Sequence, residues 1–166
     1  VPLKMLKVTV IMSLAPISEL KFIDEILVYR DTKGPKIPKV RYITPPRFIT
    51  KLPFIREVFK WFHMSYIVYR EKIDFIAPYN LITAGINAFI VGKITGKKVI
   101  FSLMGGTGEI EIAKVWFPYL SRLIDMSIEG YDFITTTGEN SRDYIIQNYN
   151  FDKSKIFILP DSIDSN

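Results

Sequence analysis

The most glycine-dense stretch of the chain is Met104-Gly105-Gly106-Thr107-Gly108-Glu109. It follows an apolar run and opens a helical pattern. Glycines in such a place let backbone N–H groups approach a ligand, and a helix start favours an anion. The spacing is not a dinucleotide fingerprint, because Glu111 stands where a third glycine is needed. Nor is it a P-loop, because no Gly-Lys-Ser/Thr follows. A plain flexible connection would have the same composition. Two further polar stretches offer hydrogen-bonding groups. Asn80 and Thr83 can bond a sugar hydroxyl, or serve as a turn and an N-cap. Thr137, Glu139 and Asn140 stand before a helical pattern, where Asn140 and Asp143 read as a capping pair or as ligand contacts.

Other chemistries lack their residues. The chain has no cysteine, which excludes disulfides, thiolate catalysis and cysteine-held metals. His63 is the only histidine, no carboxylate flanks it at metal-ligand spacing, and a Ser-His-Asp mechanism would depend on it alone. This argues against a hydrolase, and it leaves no metal site to propose. His63 reads as a surface or half-buried side chain. Lys and Arg total 22 against 17 Asp and Glu, a net charge of +5. That excess permits attraction to anionic lipid or phosphate without implying nucleic acid.

These residues must be positioned by a core, and 166 residues with 48% hydrophobic content suffice for one domain. The pattern predicts strands over Leu6–Met12, Ile26–Tyr29 and Val40–Ile43, then a helix from Phe54 to Lys72. Regular alternation follows: strand Ile73–Ala77, helix Thr83–Thr95 closed by Gly96, strand Lys98–Ser102, helix Glu109–Ile128 kinked at Pro118. Strand Asp132–Thr136, helix Asn140–Tyr149 and strand Lys155–Leu159 complete the order. Apolar strands alternating with helices predict an α/β fold: a Rossmann-like, doubly wound, mostly parallel sheet with helices on both faces. Ala84, Ala88 and Gly92 recur every four residues and so line one helix face, reading as close packing. In such sheets ligands bind beyond the carboxyl ends of the strands. That rule selects the loops Ser13–Ser18, Pro78–Thr83, Leu103–Glu109 and Thr137–Ser141.

No apolar run approaches the ~20 residues of a membrane span. Leu6–Leu14 reads as a buried strand rather than a signal peptide. The segment 46–72 interleaves Arg47, Lys51, Arg56 and Lys60 with Phe48, Phe54, Phe59, Trp61 and Phe62. A basic aromatic helix fits a peripheral site on an anionic membrane, or a helix packed on the sheet with solvated lysines. Cysteine-free, Lys- and Ile-rich usage leans towards a thermophilic cytosol.

The stretch Tyr131–Asp164 resembles the end of the N-terminal domain in the GT-B glycosyltransferases called group 1 or family 4. There a strand ends in a small hydroxyl residue, a helix follows, and a "K-I-x-V-I-P-N-G-I-D" element closes the domain. The corresponding residues are Tyr131-Asp132-Phe133-Ile134-Thr135-Thr136 and then Lys155-Ile156-Phe157-Ile158-Leu159-Pro160-Asp161-Ser162-Ile163-Asp164. Upstream, Asp74-Phe75-Ile76-Ala77-Pro78-Tyr79-Asn80 is similar to the family's "D-V-V-H-A-H-N". Thr95-Gly96-Lys97-Lys98-Val99-Ile100-Phe101-Ser102-Leu103-Met104-Gly105-Gly106 is similar to "x-G-K-P-V-V-x-T-x-H-G". Met104 stands in place of the family's histidine, and Asp161-Ser162 in place of Asn-Gly.

The resemblance implies the acceptor-side half of a retaining transferase that moves a sugar from a nucleotide-sugar donor to a glycan or lipid-linked acceptor. The donor would be held by a C-terminal domain absent from this chain, a partner without which the fragment is expected to be inactive. The chain ends at Asn166, two residues past Asp164, where the family crosses between domains. Asn80, Thr83, Gly105, Gly106, Thr107, Glu109, Thr137, Glu139 and Asn140 would line the cleft, and Asp161 and Asp164 the hinge side. The domain itself would bind no cofactor or metal, and its setting would be cytoplasmic, including peripheral attachment at the inner membrane face. The lost histidines also suit a non-catalytic Rossmann-like module that binds a nucleotide or a protein partner.

Overall fold

The computed structural model of the protein describes residues 3–8, 14–32, 34–46 and 53–159. Among these, strands β1 (Leu3–Val8), β2 (Ile23–Tyr29), β3 (Val40–Ile43), β4 (Phe75–Pro78), β5 (Lys98–Leu103), β6 (Phe133–Thr136) and β7 (Ile156–Ile158) form one sheet. Its order is β3-β2-β1-β4-β5-β6-β7, and every pairing is parallel. The helices are α1 (Leu14–Glu19), α2 (Pro53–Arg70), α3 (Ile86–Thr95), α4 (Gly106–Trp116), α5 (Ser121–Gly130) and α6 (Glu139–Tyr149).

Burial in β2 shows why the sheet is covered twice. Leu27 and Tyr29 belong to the larger core with Met64, Ile67 and Val68 of α2. Ile26 and Val28 point the other way, into a smaller core with Ile17 of α1. From Ile26 to Tyr29 the strand is buried on both sides and has no polar face to show water, hence the unbroken apolar run of those four residues. The doubly wound α/β expectation is met.

The stripe of small residues does what close packing requires. Ala84 and Ala88 are buried, and a Cβ on Gly92 would overlap the side chain of Val99 at the start of β5. Gly96 takes φ +67 at the end of α3, the left-handed conformation that lets the chain leave the helix. Asp132 then aligns β5 with β6: its carboxylate accepts from the Val99 N–H at 2.8 Å, and its own N–H donates to the Val99 carbonyl at 3.0 Å.

Several local boundaries differ from the sequence pattern; the expected helix Thr83–Thr95, for one, is a π turn Leu81–Gly85 followed by α3, and four further differences stand out. The first strand starts at Leu3 and is followed to Val8, while Thr9 to Met12 of the expected strand lie outside the described residues. Helix α1 occupies most of the Ser13–Ser18 loop. The single helix expected over Glu109–Ile128 is two: α4 ends at Trp116, a 3₁₀ turn spans Pro118–Leu120, and α5 begins at Ser121. Proline lacks the N–H needed to continue the ladder, so the helix breaks there rather than merely kinking. Finally, α6 starts one residue early at Glu139, with Gly138 at the N-cap and no side-chain cap. Asn140 therefore sits in the first turn, and the Asn140/Asp143 capping pair does not form.

Candidate functional site

Because all strands run the same way, the loops after β4, β5 and β6 emerge at one edge of the sheet. The first of them opens with Asn80. Its side-chain oxygen accepts from the Thr83 N–H at 3.2 Å, the Ala84 N–H at 3.0 Å and the Thr83 hydroxyl at 3.0 Å. It is a true N-cap, satisfying donors that the helix start leaves free. The turn behind it is a π turn, Leu81–Gly85, in which the Gly85 N–H donates to the Asn80 carbonyl at 2.6 Å. Such wide turns insert one residue and often accompany functional sites. Thr83 is exposed on this turn.

Glu109 joins this loop to the next. One carboxylate oxygen accepts from the Leu81 N–H at 3.0 Å, and the other from the Gly105 N–H at 3.3 Å. Burial pushes its carboxyl above the ordinary value, and the two N–H groups only partly oppose that. With both oxygens engaged, Glu109 shapes the cleft floor rather than standing free as a base. Beneath the π turn, the Tyr131 hydroxyl is buried without a hydrogen-bond partner among the described residues, 2.6 Å from where a Gly85 Cβ would stand. Glycine at 85 leaves it room. Its phenol is pushed upward by burial and by the Glu109 charge.

The glycine loop also abuts the third loop. Gly106 has φ +62, and a Cβ there would lie 3.2 Å from the Ser141 hydroxyl. Under the loops, the Thr135 hydroxyl donates to the Ser102 hydroxyl at 3.0 Å. Thr107 lies beside Gly106 and is half-buried. Thr137 is half-buried too, and Glu139 and Asn140 are exposed at the start of α6, with Glu139 3.6 Å from Arg142. Asn80, Thr83 and Glu109 are drawn together around one cavity, whereas Thr137, Glu139 and Asn140 stand apart from it. Asp161 and Asp164 lie outside the described residues. Met104 is half exposed at the end of β5.

That cavity, about 520 Å³, is mainly apolar, with Ile82, Ile112, Trp116 and Phe117 facing the three polar residues. None of these four was singled out by the sequence pattern. The signal the sequence carries is the apolar spacing of Ile112, Val115 and Trp116, residues that the structure leaves exposed on α4 where a solvated face would be polar. A second cavity, about 230 Å³, opens beyond Thr83 and contains Arg30, Asp31, Arg56, Glu57, Lys60 and Asn87. There Asn87 donates to Glu57 at 3.0 Å and accepts from the Trp61 indole at 2.7 Å. Glu57 is desolvated by burial, yet Asn87, Lys60 and Arg56 outweigh that and hold its carboxyl below the ordinary value.

Two other sequence features are now placed. His63 is half-buried on α2, with Nδ1 3.1 Å from the Tyr29 hydroxyl. Arg56 and Lys60 of the basic aromatic segment turn inward to Glu57, at 3.0 and 3.3 Å, while Ile55, Phe62, Tyr66 and Tyr69 are exposed. No helix among the described residues is long and apolar enough to cross a membrane, and no cluster of His, Asp or Glu could hold a metal ion.

No protein-family model matches the sequence, and no curated protein sequence matches it. Solved structures do match. The UDP-GlcNAc 2-epimerase of Methanocaldococcus jannaschii superposes with a TM-score of 0.62 at 13% identity, over 95% of this chain and 45% of that one. A glycosyltransferase from Rickettsia africae gives 0.58 at 12%, over 98% and 44%. MurG of Acinetobacter baumannii gives 0.53 at 13%, over 98% and 47%. The chain has a GT-B-like Rossmann fold. It spans a little under half the length of these structures, and at such identities the likeness concerns the fold. Within a GT-B-like frame, the edge bearing Asn80, Thr83 and Glu109 is where an open parallel sheet presents its ligands.

Proposed function

We propose that this chain is the acceptor-side, N-terminal domain of a retaining glycosyltransferase of GT-B type. Its supporting observation is the Glu109 bridge, which ties the loops after β4 and β5 into one floor at the carboxyl edge of the sheet. Asn80 and Thr83 would meet the acceptor hydroxyl. Gly105 to Thr107 and Thr137 to Asn140 would continue the wall, with Asp161 and Asp164 on the hinge side. The donor, a nucleotide sugar, would be held by a C-terminal domain, whose fixed positive groups would stabilise the departing diphosphate. This domain alone would then be inactive.

The test is incubation of the intact protein with UDP-GlcNAc and related nucleotide sugars plus candidate acceptors, followed by NMR of the products. Nucleotide release with a new glycosidic bond of retained configuration is expected. Consumption of UDP-GlcNAc to its C2 epimer, without transfer, would replace this reading by the second one. That second reading, a nucleotide-sugar epimerase, is favoured by the several UDP-GlcNAc 2-epimerases among the matching structures. The exposed Ile55, Phe62, Tyr66 and Tyr69 on α2 also suit peripheral attachment to an anionic membrane. Co-sedimentation with phosphatidylglycerol liposomes, lost in a Phe62→Glu/Tyr66→Glu variant, checks that attachment.

A further inference from the structure

The two cavities are adjacent, and Thr83 belongs to both. On one side of it the walls are aliphatic and aromatic, from Ile82, Ile112, Trp116 and Phe117. On the other side stand three cations, Arg30, Arg56 and Lys60, against two carboxylates, Asp31 and Glu57. Glu57 is shared by Arg56 and Lys60, and Lys60 is 3.9 Å from Asp31. The Arg30 guanidinium donates to the Thr32 hydroxyl at 3.0 Å and forms no ion pair among the described residues. Among the described residues that line it, the second chamber thus carries one surplus positive charge, on a guanidinium with donors to spare.

From this division we propose that the site takes an anionic amphiphile, with its hydrocarbon in the apolar chamber and its phosphate or carboxylate beside Arg30. The inference rests on the acceptor-side reading above and narrows its substrate class from any glycan or lipid-linked acceptor to an amphiphilic one. A volume of about 520 Å³ falls in the range of small-molecule sites, and suits a chain of some ten carbons or an aryl group. Of the polar residues of that chamber, Asn80, Thr83 and Glu109, it is Thr83 that also lines the second. A ligand spanning them therefore brings its junction, where a reactive hydroxyl or phosphate oxygen would sit, over Thr83. Charge complementarity selects the amphiphile over a second copy of this chain. A self-association surface would need only the apolar half, and would leave the surplus cation unanswered.

Decyl phosphate below its micelle concentration is the probe, with 1-decanol and inorganic phosphate as its two halves. Binding to the chain is read by calorimetry and by the emission of Trp116, which is 71% exposed and lines the apolar chamber, separated from that of Trp61 by a Trp116→Phe control. Decyl phosphate should bind at least tenfold more tightly than either half and shift Trp116 emission to the blue. Arg30→Ser should weaken decyl phosphate about tenfold and leave 1-decanol unchanged. Ile112→Glu, at a half-exposed position that tolerates charge without unfolding (checked by circular dichroism), should weaken both. The inference is overturned if decyl phosphate binds no tighter than 1-decanol, or if neither variant changes it. It is equally overturned if the only response is self-association of the chain or adsorption to lipid vesicles. Because this readout involves no sugar, the two readings fail separately. Amphiphile binding without transfer by the intact protein removes the transferase reading alone. Transfer to a purely hydrophilic glycan, with no amphiphile binding, removes this inference alone.

Discussion

The carboxylate of Glu109 accepts from the backbone N–H of Leu81 at 3.0 Å, across twenty-eight residues of sequence. A helix-start residue of one βα unit thereby caps the first turn of the preceding unit, and holds the cleft floor in one piece.

Removing that acceptor should be felt in the fold. Glu109→Ala strands the N–H groups of Leu81 and Gly105, and should cost about 1–3 kcal/mol in chemical denaturation. The pH dependence has a definite sign. A carboxyl whose folded value is raised contributes stability below the unfolded value, near 4.5, that is lost as pH rises through the folded value. The stability of the natural chain relative to Glu109→Gln should therefore fall as pH is raised from about 4 to 7. A difference that grows with pH would contradict the burial argument.

Asn80 serves three donors with one oxygen. Asn80→Ala should destabilise by about 1 kcal/mol and Asn80→Asp by much less, since aspartate caps equally well. Hydrogen exchange should report the loss locally, as faster exchange of the Thr83 and Ala84 amides. Uniform loosening of the whole sheet would instead point to a global role.

Gly92→Ala tests the small-residue stripe. Alanine is the better helix former by about 1 kcal/mol, yet its methyl would overlap Val99. Overpacking should win, with a net loss of about 1–3 kcal/mol. Pairing it with Val99→Ala should recover part of that loss in a double-mutant cycle. An additive result would show that the overlap is relieved elsewhere.

His63, the only histidine, gives a single imidazole signal to follow by NMR. Burial, and then the Arg70 charge, lower its pKa from the ordinary 6.5. Its folded value being depressed, the stability it contributes is present above the unfolded value and lost as pH falls through the folded one. Titration midway below 6.5 is the expected result, together with a flatter acid limb of stability in His63→Phe. A midpoint above 6.5 would mean that Asp31 or Glu57, the acidic groups near Tyr29, dominates instead.

Much of the fold was legible because apolar periodicity is a local property. Val40–Ile43 and Gly96 were placed from the pattern alone, and Ala84, Ala88 and Gly92 declared a close-packed face. The Pro118 break was legible as a disturbance but not as a full stop between two helices. The site was less so. Asn140 offered better capping chemistry than Gly138, yet α6 starts where β6 releases the chain, and tertiary position overrode the local preference.

The sequence by itself determined an α/β chain with polar, glycine-bearing loops at the strand ends, because strands buried on both faces and helices buried on one write different periods. Only the tertiary structure decided which of those loops share a cleft. The pairing of Glu109 with Leu81, and the meeting of an apolar and a charged chamber at Thr83, join residues far apart in the chain. No local pattern encodes such distances; strand order sets β1 beside β4 and carries Arg30 and Thr83 to one edge of the sheet, and the packing of α4 brings Trp116 to the cavity at Thr83.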